Sequence, residues 1–217
     1  MAVPQIFADF LKKRPEIKVV ERDAPEFNAT KEVFFESPDV PLVIVQPSSA
    51  DEVADLVENL SQNSVPFVVR AGGHDPSSRS VAQDAVQIDI RALNSVKVAA
   101  DRRTARIGGG ILTQRLLDLL GEEKLVTAVG NAGTVGWCSW AMNAGYGIMA
   151  GKYGLGCDQI VGAKVVLADG RTVDADERLL KGLRGAGPAF GVIVELEIKV
   201  YPLTEVSAAT NLLCVHA

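Results

Sequence analysis

Residues 68–80 read VVRAGGHDPSSRS. Two β-branched residues run into an arginine, a glycine pair, a histidine and a serine-rich turn, the pattern of a strand that ends in a loop. Neither glycine carries a Cβ, so the backbone can pass close to another group and take positive φ, and His74 is set to face whatever approaches. Upstream, PLVIVQP (41–47) is a short apolar run closed by prolines and reads as a buried strand. The stretch from Ser49 to Ser64 puts Val53, Leu56, Val57 and Leu60 on one helix face behind an N-cap at Ser49. Residues 41–74 therefore make a strand–helix–strand unit whose glycine loop lies at the carboxyl end of a strand, where α/β folds place ligands.

Further along, AVQIDIRAL (85–93) and VKVAADRRTARIGGG (96–110) read as strands, the latter a pair turning at Ala100 to Arg102. The leucine spacing of ILTQRLLDLLGEEK (111–124) predicts a helix that stops near Lys124. Residues 130–156 are far richer in glycine than an average chain, a composition that gives neither helix nor strand propensity and calls for a close approach. QIVGAKVVLADGRTVDA (159–175) is a hairpin turning at Asp169-Gly170, and FGVIVELEIKVYP (190–202) alternates as a strand ended by Pro202. Residues 1–37 are mixed and charged, with one amphipathic stretch at Phe7, Phe10 and Leu11 that predicts a surface helix.

The 217 residues are 47% hydrophobic and 23% charged, an ordinary globular composition with enough apolar content for a substantial core. The net charge is −5, and the lysines and arginines are scattered. Nucleic acid and anionic membrane are disfavoured as partners. Cys138, Cys157 and Cys214 form no C-x-x-C pair and the two histidines lie far apart, so no metal site is expected. No stretch is apolar enough to span a membrane and no signal peptide is visible, which gives a cytoplasmic, reducing location as the expectation.

Three motifs together carry a resemblance: RAGGH (70–74), the segment from Thr134 to Val173, and RGAGPAFGVIVELEIKVYP (184–202). They resemble the PCMH-type FAD-binding domain of the vanillyl-alcohol oxidase superfamily, within it the berberine-bridge-enzyme-like FAD-linked oxidoreductases. The resemblance implies an α+β fold of two α/β lobes, about residues 38–95 and 96–202, with FAD in the cleft between them. The first lobe's sheet is expected to be partly parallel and the second mostly antiparallel. Residues 1–37 would then be an N-terminal extension and 203–217 a C-terminal tail.

The same resemblance implies that Arg70, Ala71, Gly72, Gly73, His74 and Asp75 wrap the FAD pyrophosphate, with His74 bonded covalently to the 8α-methyl carbon of the flavin. Gly130, Thr134, Val135, Gly136, Ser139, Gly145, Tyr146 and Gly147 would line the ring and the rest of the diphosphate. Gln159, Ile160, Gly191, Val192 and Ile193 would meet the ribose and adenine, with ordinary hairpin core as the alternative. Asp75 stands where many relatives carry serine, and Cys138-Ser139-Trp140 where they usually show Gly-Gly-His. Ala132 replaces the cysteine of doubly linked members, so no second covalent bond is expected.

The implied function is FAD-dependent oxidation or dehydrogenation of a small molecule, by hydride transfer to flavin N5, in specialised metabolism. The alternatives are a redox-neutral isomerase or cyclase that holds FAD, and a noncatalytic flavin-binding subunit completed by a partner. Family members usually continue for a few hundred residues, forming a lobe that covers the substrate face and brings a base. A homodimer or a partner subunit is the expected cover here. Within the chain, Tyr146 and Cys138 are the candidates for catalysis.

Overall fold

The computed structural model describes residues 3–203 apart from Ser78 and Pro188; the expectations for the tail beyond Leu203, including Cys214 and His216, fall outside these residues. Two lobes are built on separate sheets, as the α+β reading requires. In the first, helix α1 (Gln5–Lys12), strand β1 (Lys18–Val20) and helix α2 (Phe27–Lys31) precede β2 (Val43–Gln46), α3 (Ala50–Gln62), β3 (Phe67–Arg70) and β4 (Val86–Asp89). The sheet order is β1-β2-β4-β3. β2 and β3 run parallel to β4, and β1 lies antiparallel on β2.

Both faces of β2 are covered, which is why Val43, Ile44 and Val45 form an unbroken apolar run. On one face lie Val53, Leu56, Val57 and Leu60 of α3; on the other, Ile44 meets Phe27 and Val20. Helix α3 starts where its cap predicts: Ser49 Oγ accepts from Glu52 N at 3.2 Å, and the Glu52 carboxylate reaches back to Ser48 N at 2.7 Å. Residues 1–37 are tied into this lobe, since β1 supplies an edge strand and Phe7 is fully buried against α3 and the sheet. Three residues of strand among charged neighbours give no local signal; the long-range partner β2 creates the element.

The second lobe holds β5 (Val96–Val98), β6 (Thr104–Gly108), α4 (Thr113–Glu122), β7 (Leu125–Val126), α5 (Trp137–Met142), α6 (Ala150–Tyr153), β8 (Ile160–Val166), β9 (Thr172–Asp174), α7 (Glu177–Ala186), β10 (Val192–Lys199) and β11 (Tyr201–Pro202). Its five-stranded sheet, β5-β6-β10-β8-β9, is antiparallel throughout. The strand expected to run to Pro202 breaks after Lys199, and Tyr201–Pro202 pairs instead with β7. The glycine-rich run contains two short helices after all, α5 and the single-turn α6; WCSWAM of α5 is free of glycine, and burial of Trp137, Cys138, Ala141 and Met142 supplies what propensity does not.

The lobes share a wall. Val166 of β8 and Val192 and Val194 of β10 belong to the first lobe's core, while their strand neighbours Val165, Ile193 and Leu196 belong to the second's. At this seam a Cβ on Gly109 would stand 1.9 Å from Ile193 O, and one on Gly110 1.8 Å from Ile90 O. Only glycine allows the backbones to meet so closely.

Candidate functional site

The glycine loop leaves β3 at Arg70 and meets the Thr134–Gly136 segment backbone to backbone. A Cβ on Gly72 would lie 2.2 Å from Gly136 N and 2.6 Å from Thr134 O, and Gly73 takes φ +69°. The far segment is anchored from behind by Thr113 N to Val135 O and Trp137 N to Ile111 O, at 2.9 and 3.0 Å. A side-chain latch joins the two loops: His74 Nε2 and Thr134 Oγ1 are 2.8 Å apart.

Phe34 completes the histidine's surroundings. Its ring stacks on the imidazole at 4.5 Å and 19°, and its N–H bonds Gly73 O at 2.9 Å. Burial holds the His74 pKa below its ordinary value, which favours the neutral ring. Phe34 was not anticipated; the exposed aromatic pair Phe34-Phe35 was the available signal.

Beneath the loop lies a charged knot. Asp89 ends β4 with its carboxylate fully buried, accepting from Arg91 Nη2 at 2.6 Å and Gln46 Nε2 at 2.9 Å, with Arg70 Nη1 at 3.5 Å. Desolvation pushes the Asp89 pKa up, but hydrogen bonding and charge from Arg91, then Gln46 and Arg70, outweigh it and the net shift is down. Arg70 is part of this buried knot rather than a surface group. It is buried, donates to Glu32 O at 2.5 Å, and keeps its Nε without a partner beside Gly73. Asp75, the departure from serine, is engaged locally, accepting from Arg79 Nε at 2.5 Å and Ser77 N at 2.9 Å.

The donor set fits a diphosphate. Among the described residues, the N–H groups of Gly72, Gly73 and His74 donate to no protein acceptor, and the orphaned Arg70 Nε lies behind them. Free backbone donors around a positive-φ glycine with a guanidinium in support make an anion-binding nest, here in a loop whose Gly73 is buried and whose Gly72 and His74 are half-buried.

The remaining expected residues divide. Ser139 Oγ donates to Gly136 O at 3.1 Å and so braces the latch segment. Trp140, the departure from histidine, packs against Gly130 and Gly156 and donates to Tyr146 O at 3.2 Å, tying Gly145-Tyr146-Gly147 to the site. Tyr146 itself is 78% exposed. Cys138 is buried among core residues with its thiol against Gly108 O, and burial pushes that thiol up to about 12, which disfavours the reactive thiolate. Gln159 has its amide hydrogens on Tyr153 O and Leu155 O and its oxygen on Tyr201 Oη, so its side chain braces the fold. Ile160, Val192 and Ile193 bury their side chains in the core, and Gly191, just before β10, lies against Val166 O. Two surface grooves, of about 370 and 520 Å³, share no residue with the site. No helix among the described residues is long and apolar enough to cross a membrane.

A family model described as FAD binding domain matches residues 41–176. The chain is 41% identical over 197 residues to the FAD-linked oxidoreductase aurO of Gibberella zeae, a match covering 89% of this chain and 39% of that protein. It superposes on 6-hydroxy-D-nicotine oxidase of Arthrobacter nicotinovorans with a TM-score of 0.81 and 33% identity, over 85% of this chain and 42% of the other. On glucooligosaccharide oxidase of Acremonium strictum, a protein described with a 6-S-cysteinyl, 8α-N1-histidyl FAD, the TM-score is 0.80 at 25% identity, over 87% and 41%. The chain thus spans about two fifths of the length of these relatives.

Proposed function

This chain belongs to the FAD-binding domain family, and from that membership we propose that it is the cofactor-holding part of an FAD-linked oxidoreductase acting on a small molecule, with His74 bonded to the flavin. The observation that carries the reading is the latch: the two glycine motifs meet at Gly72 and Gly136, and the single imidazole at their junction is held by Thr134 and covered by Phe34.

Gly72, Gly73 and His74 offer their N–H groups to the diphosphate, with Arg70 in support. Thr134, Val135 and the 145–147 loop line the ring side. When bound, FAD supplies a two-electron acceptor at N5. Phe34 keeps water from one face of the imidazole. Similarity to proteins named FAD-linked oxidoreductases supports the oxidoreductase reading; a role in specialised metabolism is part of the proposal. Phe34, Phe35, Tyr146 and Ile148 expose apolar side chains; a substrate-covering lobe, a second copy or a partner subunit would bury them. Tyr146 is the remaining candidate for proton transfer.

The test is a visible spectrum of the purified protein, then acid precipitation and intact mass. A flavin spectrum that stays with the precipitate, and a mass raised by one FAD, are expected, and His74→Ala should release the colour. Anaerobic mixing with alcohols, hydroxy acids and amines should find one class that bleaches it. A colourless protein that FAD cannot reconstitute would overturn the reading.

A further inference from the structure

We propose that Thr134 is the positioning residue for flavin attachment: by accepting the Nε2 proton of His74 it fixes the tautomer in which Nδ1 carries the reactive lone pair. The inference rests on the covalent reading above and adds the group that makes the histidine competent. Three observations carry it. Thr134 Oγ1 lies 2.8 Å from Nε2, and no hydrogen-bond partner occupies Nδ1 among the described residues. Phe34 stacks on the ring at 4.5 Å and so restricts its rotation. The backbones of the two loops touch at Gly72 and Gly136, so Thr134 cannot drift from the imidazole without parting the motifs.

A neutral imidazole has one N–H and one lone pair, and a hydroxyl can donate or accept; an Nδ1–H would find no acceptor among the described residues, whereas an Nε2–H has Thr134 Oγ1 at 2.8 Å, which favours the Nε2–H tautomer. With the proton on Nε2, attachment forms one bond from Nδ1 to the 8α-carbon and breaks one C–H bond of that methyl group. The electron pair of the broken bond reduces the flavin. The methyl hydrogen and the imidazole hydrogen leave as protons, the latter from Nε2 towards the Thr134 hydroxyl. Dioxygen takes up the two electrons and two protons as hydrogen peroxide. With the proton on Nδ1 instead, that nitrogen has no lone pair in the ring plane and the bond cannot form.

The experiment follows covalent incorporation in air after excess FAD is added to protein produced under riboflavin limitation, read as acid-precipitable flavin and as mass. Thr134→Val keeps the shape and removes the acceptor; Thr134→Ser keeps the acceptor. The valine variant should bind FAD and attach it at least about tenfold more slowly, the factor a lost hydrogen bond produces, while the serine variant should stay within about threefold of the parent. Attachment by Thr134→Val at the parent rate would overturn the proposal while leaving the covalent reading intact. Equal slowing in both variants would also overturn it, since packing would then be responsible. A parent protein that binds FAD and never attaches it removes the covalent reading and this proposal together. A measurement independent of any variant is the long-range ¹H–¹⁵N spectrum of His74 in the cofactor-free chain: an Nε2–H pattern is expected, and an Nδ1–H pattern refutes the assignment.

Discussion

Replacing Gly72 by alanine tests whether the two motifs are set backbone to backbone. The added Cβ would stand 2.2 Å from Gly136 N, 2.6 Å from Thr134 O and 2.9 Å from Val135 C. All three obstacles are backbone, so no rotamer change relieves them. Opening the shortest contact to ordinary van der Waals distance, 3.4 Å, parts the loops by roughly 1.2 Å. That shift carries the His74–Thr134 separation from 2.8 Å to about 4 Å, beyond hydrogen bonding. Overpacking of this kind costs about 1–3 kcal/mol, which lowers the Tm of a chain this size by roughly 2–12 °C. Far-UV circular dichroism should show a folded protein with a lower melting point, and acid-precipitable flavin should fall to a tenth or less of the parent rate, about the loss of one positioning hydrogen bond. Unchanged melting together with unchanged flavin uptake would refute the contact geometry and the latch with it.

Asp89→Asn should destabilise the first lobe by about 3 kcal/mol, because Arg70 stays buried without its counter-charge while the more exposed Arg91 can turn to water; urea denaturation measures it. The Asp89 pKa is depressed on folding, so its contribution is present above the ordinary value of 3.8 and is lost as pH falls through the folded pKa; Asp89→Asn should flatten the acid limb of the stability curve. Phe34→Ala should let the His74 pKa move back up towards 6.5, followed by NMR titration. In the parent, His74 contributes stability above pH 6.5 that fades as pH falls towards its folded pKa. Cys138 should resist alkylation until the chain unfolds, as peptide mass mapping would show.

The parts of this fold legible in the sequence are those with local causes. Ser49 and the apolar stripe of α3, the Asp169-Gly170 hairpin and the Gly72-Gly73 turn each announce themselves within a few residues. What escaped depends on contacts across the chain. β1 exists because β2 lies beside it, and α5 because Trp137 and Met142 are buried, not because WCSWAM favours a helix. The Asp89 knot shows in sequence only as one acid among the apolar residues of AVQIDIRAL, and its partners come from β2, β3 and the following turn. Phe34 reaches His74 from forty positions earlier, a distance that no pattern of spacing spans.

The wall that β8 and β10 present to both lobes has a consequence for how a cofactor enters. A clamshell hinge between the lobes would have to pull Val166, Val192 and Val194 away from α3 and expose core, so the two sheets are expected to move as one body. Admission therefore falls to the loops at the mouth of the cleft, and the rate of loading should follow the local opening of residues 71–75 and 144–148 while the two sheets stand still.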